Sequence, residues 1–360
     1  MKHILYITQP GSGGVRKHLC DLLENLDLTK YKVSLIYNAD LADENFKATL
    51  AKLNGQISTY SLSNLTREIS PKTDFAAYRE VSKIIKQIKP DIVHTHSSKA
   101  GVIGRLAAKK HHVKQIYYTP HAYAFLAPEF SSKKKLLFVT LERYLSKHNT
   151  SLTFTVSEGE KAAALANKID KADKFKVIYN GVPDVVLQDK SSLRQKLHLS
   201  DERYIFGTIG RLSPQKNPDY FAKLAEKYPE YDFVWIGGKQ ETSLKNLHFL
   251  GELSNAADLL PVFDSYISTA LYEGLPYAPI EALRAGIPVF LSNVVGNQEI
   301  IKSDNGKLYE FDQLLNDENQ IKNYVKWARN VEKSAVQSTF QQYFSIQQML
   351  KQLTEIYDEN

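Results

Sequence analysis

The sequence predicts an α/β protein built from two doubly wound domains that face each other across a cleft, with a helical C-terminal tail. Short apolar runs rich in β-branched residues alternate with amphipathic stretches through the first half of the 360 residues. A polar segment at 180–203, which carries Asn-Gly and Pro-Asp turn signals, interrupts this alternation, and the pattern restarts after it. The length also suits two domains of roughly 150–190 residues each.

In the first half, six nearly continuous apolar runs predict parallel strands with helices on both faces of the sheet. The predicted strands are 3–8, 32–37, 91–95, 115–119, 152–156 and 176–179. The predicted helices between them are 15–26, 43–53, 74–88, 98–111, 132–147 and 158–169. Strands that alternate with helices indicate a Rossmann-like domain, which we assign to residues 1–182.

The second half predicts another Rossmann-like domain, assigned to residues 183–335. Its predicted strands are 204–209, 232–236, 247–250, 265–269 and 288–291, and its helices are 217–227, 255–263, 277–285 and one near 297–302. The tail at 318–357 is predicted to be helical throughout, and residues 336–360 form the predicted C-terminal helix. Its apolar positions need a surface, which either the first domain or a second subunit supplies, so the oligomeric state stays open.

Composition limits the compartment in which the protein works. A single cysteine, Cys20, excludes a disulfide framework and favours the reducing cytoplasm. The apolar start MKHILYIT has no small-residue cleavage site after it, so it is interpreted as a buried first strand rather than a signal peptide. No apolar run approaches the ~20 residues that span a bilayer. We therefore expect a cytoplasmic protein that is soluble or peripheral to the membrane.

Basic charge is concentrated in the first half of the chain. Residues 1–180 contain 28 Lys and Arg against 16 Asp and Glu, whereas residues 181–360 contain 18 against 24. The excess peaks at 81–150, with 13 basic and 3 acidic residues. This asymmetry indicates either a surface for a polyanion or an ordinary solvated basic face. Nucleic acid is not the expected polyanion, because aromatic residues do not interleave with the basic ones.

The stretch 130–148, FSSKKKLLFVTLERYLSKH, is amphipathic and holds three consecutive lysines. These lysines lie in the first turn of the predicted helix, where the helix dipole disfavours cations. Anionic lipid head groups or a lipid diphosphate would compensate for that cost. The residues that we expect to face the membrane or the acceptor are Lys133, Lys134, Lys135, Arg105 and Lys99.

A glycine-rich loop follows the first predicted strand. Residues 11–19 read GSGGVRKHL, with Gly13 and Gly14 where the strand passes into a helix. Glycine lets the backbone approach a ligand closely, and a helix N-terminus offers free N–H groups to an anion. The third glycine of a dinucleotide-binding fingerprint is absent. The loop is therefore either an anion-binding turn or a purely structural one.

A second loop, GRLSPQKNPDYF at 210–221, follows the first strand of the second domain. Arg211 and Lys216 leave the C-terminal end of that strand, where open α/β sheets bind ligands. An arginine fork and a lysine point charge five residues apart can bracket a diphosphate. The alternative is a solvated loop in which Ser213 or Asn217 caps the following helix.

The segment 271–290, LYEGLPYAPIEALRAGIPVF, places two glutamates eight residues apart. Glu273 ends a loop, and Glu281 lies inside a predicted helix. A carboxylate accepts hydrogen bonds from two neighbouring hydroxyls, which suits a ribose or a sugar. The backbone N–H groups of 274–277, ahead of the helix, are suited to an anion or a sugar oxygen. The pattern is specific because it lies between a buried strand and a helix closed by Ala-Gly-x-Pro.

Together these motifs resemble glycosyltransferase family 4, whose two-domain fold is usually called GT-B. The resemblance runs through GRLSPQKN, YEG-x5-IEAL-x-AG-x-PV and VGNQEII, and it covers nearly the whole chain. The segments 91–108 and 117–125 resemble the bacterial members that make capsule, exopolysaccharide or lipid-linked glycans. The resemblance implies retaining transfer of a sugar from a nucleotide-sugar, with a UDP-sugar expected first, to a lipid-linked saccharide acceptor.

The resemblance also implies roles for the residues that carry it. In the second domain, Arg211 and Lys216 hold the donor diphosphate, Glu273 contacts the donor sugar and Glu281 contacts the nucleotide ribose. In the first domain, the loop of Gly13 and Gly14 closes over the diphosphate and His121 borders the reacting sugar. The expected catalytic residues are therefore Glu273 and His121. The alternative for His121 is a purely structural role, in which its ring nitrogens make hydrogen bonds within the protein.

The chain departs from the family in the loop that touches the sugar. Many members have E-G-F-G-L-P after the first glutamate, where this chain has E-G-L-P-Y-A-P. A deoxysugar or a thymidine-linked donor therefore stays open beside a UDP-sugar. A nucleotide-sugar epimerase and a non-catalytic subunit that supports a partner transferase are alternative functions. The residues of the altered loop are Gly274, Leu275, Pro276 and Tyr277.

Neither a metal nor a cofactor is expected. His94 and His96 alternate on a predicted strand and so point the same way. No carboxylate or cysteine nearby completes a metal site, and the sequence contains no Asp-x-Asp. The expected partners are a nucleotide-sugar, a lipid-linked saccharide acceptor and the anionic inner face of the cell membrane.

Overall fold

The computed structural model describes residues 1–9, 13–66, 68–127, 130–253 and 255–359. The chain divides into two compact units. The first contains Met1–Gly181 and Met349–Asn360, and the second contains Val182–Gln348. Each unit is built around its own parallel sheet.

The first unit holds a seven-stranded sheet in the order β3-β2-β1-β4-β5-β6-β7, and all paired strands run parallel. The strand order reverses between β1 and β4, which makes their carboxyl ends the place where such a sheet binds ligands. The strands are β1 (Lys2–Thr8), β2 (Tyr31–Tyr37), β3 (Ser58–Ser61), β4 (Ile92–His96), β5 (Gln115–Thr119), β6 (Leu152–Thr155) and β7 (Phe175–Val177).

Between Gly13 and Ala166, the described residues form six α-helices that accompany this sheet. They are α1 (Gly13–Asn25), α2 (Glu44–Lys52), α3 (Pro71–Ile88), α4 (Ser98–Lys110), α5 (Ser132–Asn149) and α6 (Glu158–Ala166). Short 3-10 helices lie at Ala39–Leu41, Ala124–Leu126 and Ala172–Lys174. The central strands are buried along almost their whole length, which explains why they appear in the sequence as continuous apolar runs.

The second unit holds a six-stranded parallel sheet in the order β10-β9-β8-β11-β12-β13, which reverses between β8 and β11. Its strands are β8 (Ile205–Ile209), β9 (Asp232–Ile236), β10 (Leu247–Phe249), β11 (Ser265–Ser268), β12 (Val289–Ser292) and β13 (Gly306–Tyr309). Its helices are α7 (Lys190–Lys196), α8 (Pro218–Lys227), α9 (Tyr277–Arg284), α10 (Val295–Gln298), α11 (Phe311–Asn316), α12 (Glu318–Ala328) and α13 (Lys333–Tyr343), with a 3-10 helix at Ala256–Val262.

The final helix, α14 (Ile346–Asp358), begins in the second unit, and its residues from Met349 onward belong to the first. Tyr357 from this helix is fully buried, and its hydroxyl lies 2.6 Å from His94 Nδ1. Lys2 Nζ donates to the Tyr357 carbonyl at 2.7 Å, and the Tyr31 hydroxyl donates to Asp358 at 2.7 Å. The first unit therefore provides the surface that the apolar positions at the end of the tail need.

The predicted α/β class with parallel sheets is confirmed, and every predicted strand is present within two residues of its predicted bounds. Two edge strands were not predicted, because β3 is polar and mostly exposed while β13 has only four residues. The polar segment 180–203 contains the short helix α7, which Asp189 caps. Residues 256–262 form a 3-10 helix rather than the predicted α-helix, and Pro261 lies inside it. The predicted helix near 297–302 begins earlier, as α10.

Candidate functional site

In the second unit, two loops leave the sheet at its switch point, one after β8 and one after β11. Backbone hydrogen bonds join them, since Leu271 N donates to the Gln215 carbonyl at 2.8 Å. Gln215 Nε2 donates to the Tyr272 carbonyl at 3.0 Å, and Thr269 Oγ1 donates to the Lys216 carbonyl at 2.8 Å. The two motifs predicted to bind one ligand are therefore built into a single platform at the carboxyl ends of β8 and β11.

Lys216 and Glu273 form an ion pair between these two loops. The side chain of Glu273 is only 8% exposed, while that of Lys216 is 27% exposed. Arg211, which leaves β8 on the same loop, is exposed, and its side chain has no hydrogen-bond or ion-pair partner among the described residues. The platform thus presents an unpaired guanidinium beside a lysine whose charge is already shared with a carboxylate. Such an arrangement can accept an anion through Arg211 and Lys216 together.

Glu281 lies on α9, directly after the loop that Glu273 begins. It is buried, as are Leu275 and Pro276 ahead of the helix. Pro276 has extended backbone angles and occupies the N-cap position of α9. The side chains of Leu275 and Pro276 are buried and anchor the loop, whereas Gly274 and Tyr277 are partly exposed.

The backbone of Gly296 on α10 lies close against the Glu273–Gly274 peptide. A Cβ atom at Gly296 would lie 2.4 Å from the Gly274 carbonyl oxygen and 2.8 Å from the Glu273 carbonyl carbon. Both atoms belong to the backbone, which cannot yield as a flexible side chain would. The VGNQEII motif therefore supports the glutamate loop through a close backbone approach.

In the first unit, three histidines gather at the switch point between β1 and β4. His96 ends β4, His121 follows β5, and His18 lies on α1. His96 Nδ1 is 3.1 Å from His121 Nε2, and the ring centroids of His18 and His121 are 4.6 Å apart. Burial lowers the pKa of His18 to about 4 and lowers the pKa values of His96 and His121 well below 6.5. All three imidazoles are therefore neutral at pH 7.

Several buried polar atoms at this edge have no hydrogen-bond partner among the described residues. They include Thr8 Oγ1 at the end of β1, His96 Nε2 at the end of β4 and Thr155 Oγ1 at the end of β6. Buried polar groups are almost always paired in native proteins. Two of these atoms, Thr8 Oγ1 and His96 Nε2, lie at the carboxyl ends of the neighbouring strands β1 and β4, the switch point where such sheets bind ligands.

His94, the other histidine of β4, has a structural role. Its Nδ1 lies 2.6 Å from the Tyr357 hydroxyl, and its Nε2 lies 2.8 Å from Thr119 Oγ1. Both ring nitrogens are therefore engaged within the core. The predicted pairing of His94 with His96 on one face of the strand holds, with ring centroids 4.1 Å apart, but only His96 reaches His121.

The backbone around His121 is held by a buried glutamate that the sequence analysis missed. His121 and Ala122 have φ angles of 53° and 79°, in the left-handed region. Glu160 Oε1 accepts from Ala122 N at 2.7 Å, and its Oε2 accepts from Val156 N at 2.9 Å. Ser157 caps α6 and accepts from Glu160 N at 3.0 Å. Ser-x-x-Glu at 157–160 is the pattern of a capping box, and that pattern was a signal for this residue.

Replacing Glu160 with glutamine should flatten the pH dependence of stability. Burial raises the pKa of Glu160 from 4.5 to about 7, so the folded state holds its proton more tightly than the unfolded chain. This group therefore stabilises the fold most below pH 4.5, and its contribution falls as the pH rises to about 7. We expect the unfolding free energy of wild type, relative to Glu160→Gln, to fall by up to about 3 kcal/mol between pH 4.5 and 7.5. Urea unfolding of both proteins at several pH values measures this difference, and parallel curves would contradict it.

Gly13 and Gly14 lie at the start of α1 and are exposed. Gly13 has a φ of 72°, a conformation that favours glycine, and a Cβ there would meet nothing within 4 Å. Conformation rather than crowding therefore requires this glycine. The preceding Gly11 and Ser12 of the predicted loop lie outside the described residues.

The predicted membrane-facing residues divide into two groups. Lys133 and Lys134 are exposed in the first turn of α5, and Lys135 is half-buried there. The prediction for Arg105 is wrong, because its side chain is fully buried and paired with Glu142 at 2.8 Å. Lys99 is also mostly covered: its side chain is 11% exposed and pairs with Asp74 at 2.5 Å. The prediction for Arg105 on α4 used its positive charge alone, which does not reveal a buried ion pair.

Comparison with known proteins identifies the family. Residues 12–185 match the model for Glycosyltransferase Family 4, and residues 189–339 match the model for Glycosyl transferases group 1. An Escherichia coli protein named UDP-Gal:alpha-D-GlcNAc-diphosphoundecaprenol alpha-1,3-galactosyltransferase is 32% identical over 76% of this chain and 74% of its own length. The O-antigen biosynthesis glycosyltransferase WbnH of Escherichia coli is 31% identical over 66% of this chain and 68% of its own.

A solved structure confirms the fold. The structure of Anabaena Alr3699/HepE in complex with UDP matches this chain with a TM-score of 0.80 at 23% identity, and the match covers 100% of both chains. The predicted GT-B fold is therefore confirmed. With two family models that match most of the sequence, and a galactosyltransferase at 32% identity, this chain belongs to glycosyltransferase family 4.

Proposed function

We propose that this protein transfers a sugar from a UDP-sugar to a saccharide linked to a polyprenyl diphosphate, with retention of configuration and without a metal cofactor. The observation that carries the proposal is the platform at the second unit's switch point, where the Lys216–Glu273 ion pair joins the two donor motifs. The relative named for UDP-Gal and a diphosphoundecaprenol acceptor supports this donor and acceptor class. The UDP complex of Alr3699/HepE supports the nucleotide.

The platform suits the charge that develops during this reaction. As the bond between the sugar and the phosphate breaks, the departing UDP gains negative charge. Arg211 and Lys216 stabilise that charge electrostatically, which in acyl and phosphoryl transfer is a leading source of rate enhancement. Glu273 orients the sugar through its hydroxyls, and Glu281 accepts hydrogen bonds from the ribose hydroxyls. Galactose is the first sugar to test, because the 32%-identical relative is named for UDP-Gal.

The first unit supplies the acceptor side of the proposal. Sugar hydroxyls both donate and accept hydrogen bonds, so they can satisfy Thr8 Oγ1, Thr155 Oγ1 and His96 Nε2 at the carboxyl ends of their strands. His121, held in its left-handed conformation beside this edge, borders the reacting sugar in the proposal. The exposed turn at Gly13 and Gly14 offers backbone N–H groups to a phosphate. The orphaned polar atoms and His121 favour a saccharide acceptor.

The proposal also includes a membrane-binding surface on α5. This surface places the protein at the inner face of the cell membrane, where capsule or exopolysaccharide precursors are built. No helix in the described ranges has the length and hydropathy needed to span a bilayer. Helix α5 instead exposes Leu136, Leu137 and Tyr144 at 64%, 62% and 55%, beside Lys133 and Lys134. Exposed apolar side chains next to lysines are typical of a helix that lies in the membrane interface.

Reversing charge on α5 should weaken vesicle binding. Each lysine near an anionic surface contributes about 1 kcal/mol, so Lys133→Glu/Lys134→Glu should lower partitioning onto phosphatidylglycerol vesicles at least tenfold. Co-sedimentation measures this partitioning. Lys83→Glu, an exposed lysine on α3, serves as the matched control and should lower it much less. Equal losses for the two proteins would contradict a membrane surface at α5.

Replacing Gly296 with alanine should impair transfer without unfolding the protein. The added methyl group forces the Glu273–Gly274 peptide away by about an ångström, and a displacement of that size can cost about a hundredfold in rate. We expect kcat/KM to fall at least tenfold while the melting temperature changes little. Val295→Ala removes a 54%-exposed side chain from the same helix and should leave kcat/KM near wild type. Unchanged kcat/KM for Gly296→Ala would contradict the supporting role of α10.

Calorimetric titration with UDP, dTDP, GDP and ADP tests the proposed donor class. We expect UDP alone to bind at micromolar concentration and its affinity to fall at least tenfold in Glu281→Gln. Glu226→Gln, an exposed glutamate on α8, is the control. Binding of none of the four would refute the transferase and favour a non-catalytic subunit. Conversion of UDP-galactose without any acceptor would favour an epimerase instead.

A further inference from the structure

The three histidines at the first unit's switch point form a group of a different chemical kind from the donor platform. Each of His18, His96 and His121 offers one ring nitrogen, and these three nitrogens all lie within 4.8 Å of one another. Tetrahedral zinc binds histidine nitrogens at 2.0–2.1 Å, which sets neighbouring nitrogens about 3.4 Å apart. His96 Nδ1 and His121 Nε2 lie 3.1 Å apart, which is already close to that separation.

The hydrogen bonds around the cluster leave the nitrogens able to bind an ion. His18 Nδ1 donates to Asn180 Oδ1 at 3.2 Å, which leaves the lone pair on Nε2. A histidine that binds a metal usually donates its other N–H to such a partner. His96 Nε2 is buried and has no partner among the described residues, so the ring can carry its proton there and free the lone pair of Nδ1.

The cluster also has an entry path and a defined preference for ions. His121 is only partly buried, whereas His18 and His96 are 5% and 0% exposed. Three imidazoles with an open fourth position suit zinc, copper or cobalt rather than magnesium or calcium, which prefer oxygen ligands. The absence of a carboxylate from the group leaves the charge of the ion uncompensated. Binding should therefore be reversible rather than permanent.

We propose that His18, His96 and His121 form a site for a divalent transition-metal ion of the zinc class, and that an ion bound there inhibits sugar transfer. Inhibition follows because ligation takes up the lone pair of one His121 ring nitrogen and fixes the ring, so that nitrogen can no longer accept a hydrogen bond from the reacting sugar. The proposed inhibition of sugar transfer rests on the proposed function, whereas the proposed binding of the ion does not. The donor platform holds none of these ligands, so UDP binding by the second unit should persist with the ion bound.

Titration of the full-length, EDTA-treated protein with Co²⁺ tests the site without an activity assay. Visible d–d absorption should saturate at one ion per chain. His121→Asn, chosen because asparagine tolerates the left-handed conformation, and His18→Gln should each abolish the band. Asn180→Ala should weaken binding about tenfold, and the exposed His148→Ala should leave it unchanged. No band, or a band that survives in both His121→Asn and His18→Gln, would overturn the metal site.

The second arm adds Zn²⁺ to a sugar-transfer assay. Transfer should fall in the concentration range where Zn²⁺ displaces Co²⁺, and EDTA should restore it, while calorimetric UDP binding stays unchanged. Transfer that continues at saturating Zn²⁺ would overturn the proposed inhibition. If the EDTA-treated protein transfers no sugar at all while Co²⁺ still binds, the proposed function fails and the metal site stands.

Discussion

Replacement of Lys216 with alanine should lower kcat/KM for sugar transfer at least a hundredfold and the affinity for UDP at least tenfold. The Lys216 ammonium lies at the carboxyl end of β8 and pairs with Glu273 from the loop after β11. Removing one preorganised donor that meets charge as it develops in the transition state typically costs 10²–10³ in kcat, and a lysine at a departing diphosphate acts in the same way. Stopped transfer assays and calorimetry measure the two quantities. Lys223→Ala, an exposed lysine on α8, should change neither.

Lys216→Ala also leaves the Glu273 carboxylate without its ion-pair partner, and this second effect needs a control. The Glu273 side chain is only 8% exposed, so an unpaired carboxylate there would repel the diphosphate by itself. The double variant Lys216→Ala/Glu273→Gln removes that repulsion. We expect the affinity for UDP, which lacks the sugar that Glu273 contacts, to remain at least tenfold low in the double variant, because the cation is still missing. Recovery of UDP affinity to the wild-type value would show that Lys216 only neutralises Glu273.

Replacement of Arg105 with methionine should destabilise the first unit by about 3–5 kcal/mol. The fully buried guanidinium lies 2.8 Å from Glu142 Oε2 and 3.8 Å from the centre of the Tyr118 ring, and its Nε donates to the Gly101 carbonyl at 2.8 Å. Removing it leaves the Glu142 carboxylate buried without a counter-charge. Urea unfolding measures the loss. Lys109→Met, on the exposed side of the same helix, should cost less than about 0.5 kcal/mol.

A second substitution separates the buried charge from lost packing. Arg105→Met/Glu142→Gln removes both charges, and it should recover part of the stability that Arg105→Met loses. A double variant as unstable as Arg105→Met would show that packing of the guanidinium on Tyr118, rather than the ion pair, dominates. A single variant within 1 kcal/mol of wild type would contradict the account of Arg105 as a buried structural cation.

The fold was predictable from the sequence because its central strands are buried on both faces. Such strands appear as apolar runs, and β5 and β9 have the bounds that were predicted for them. The edge strand β3, Ser-Thr-Tyr-Ser, carries no such signal, because an edge strand with exposed side chains needs no apolar run. Short helices such as α7 depend on a cap and tertiary contacts, which propensity over seven residues cannot reveal.

The candidate site was predictable only where a motif spans it. The two loops of the donor platform were found because each follows a strand and carries charged residues in a recognisable order. His18 and Asn180 were not predicted as site residues, because they lie 162 positions apart in the sequence and only the fold brings them together. Arg105 was assigned to the surface because charged residues are rarely fully buried, and its partner Glu142 lies on another helix.

Transfer of labelled galactose from UDP-galactose to a synthetic GlcNAc-diphospho-polyprenol in anionic vesicles tests the central claim most directly. The account predicts a lipid-linked disaccharide with wild type in the presence of EDTA. It also predicts an α linkage by NMR, because retention preserves the anomeric configuration of the donor, and at least a hundredfold less product with Lys216→Ala. A β-linked product would contradict retention. Absence of any product, with UDP-galactose, UDP-glucose and a thymidine-linked sugar alike, would contradict the account of this protein as a transferase.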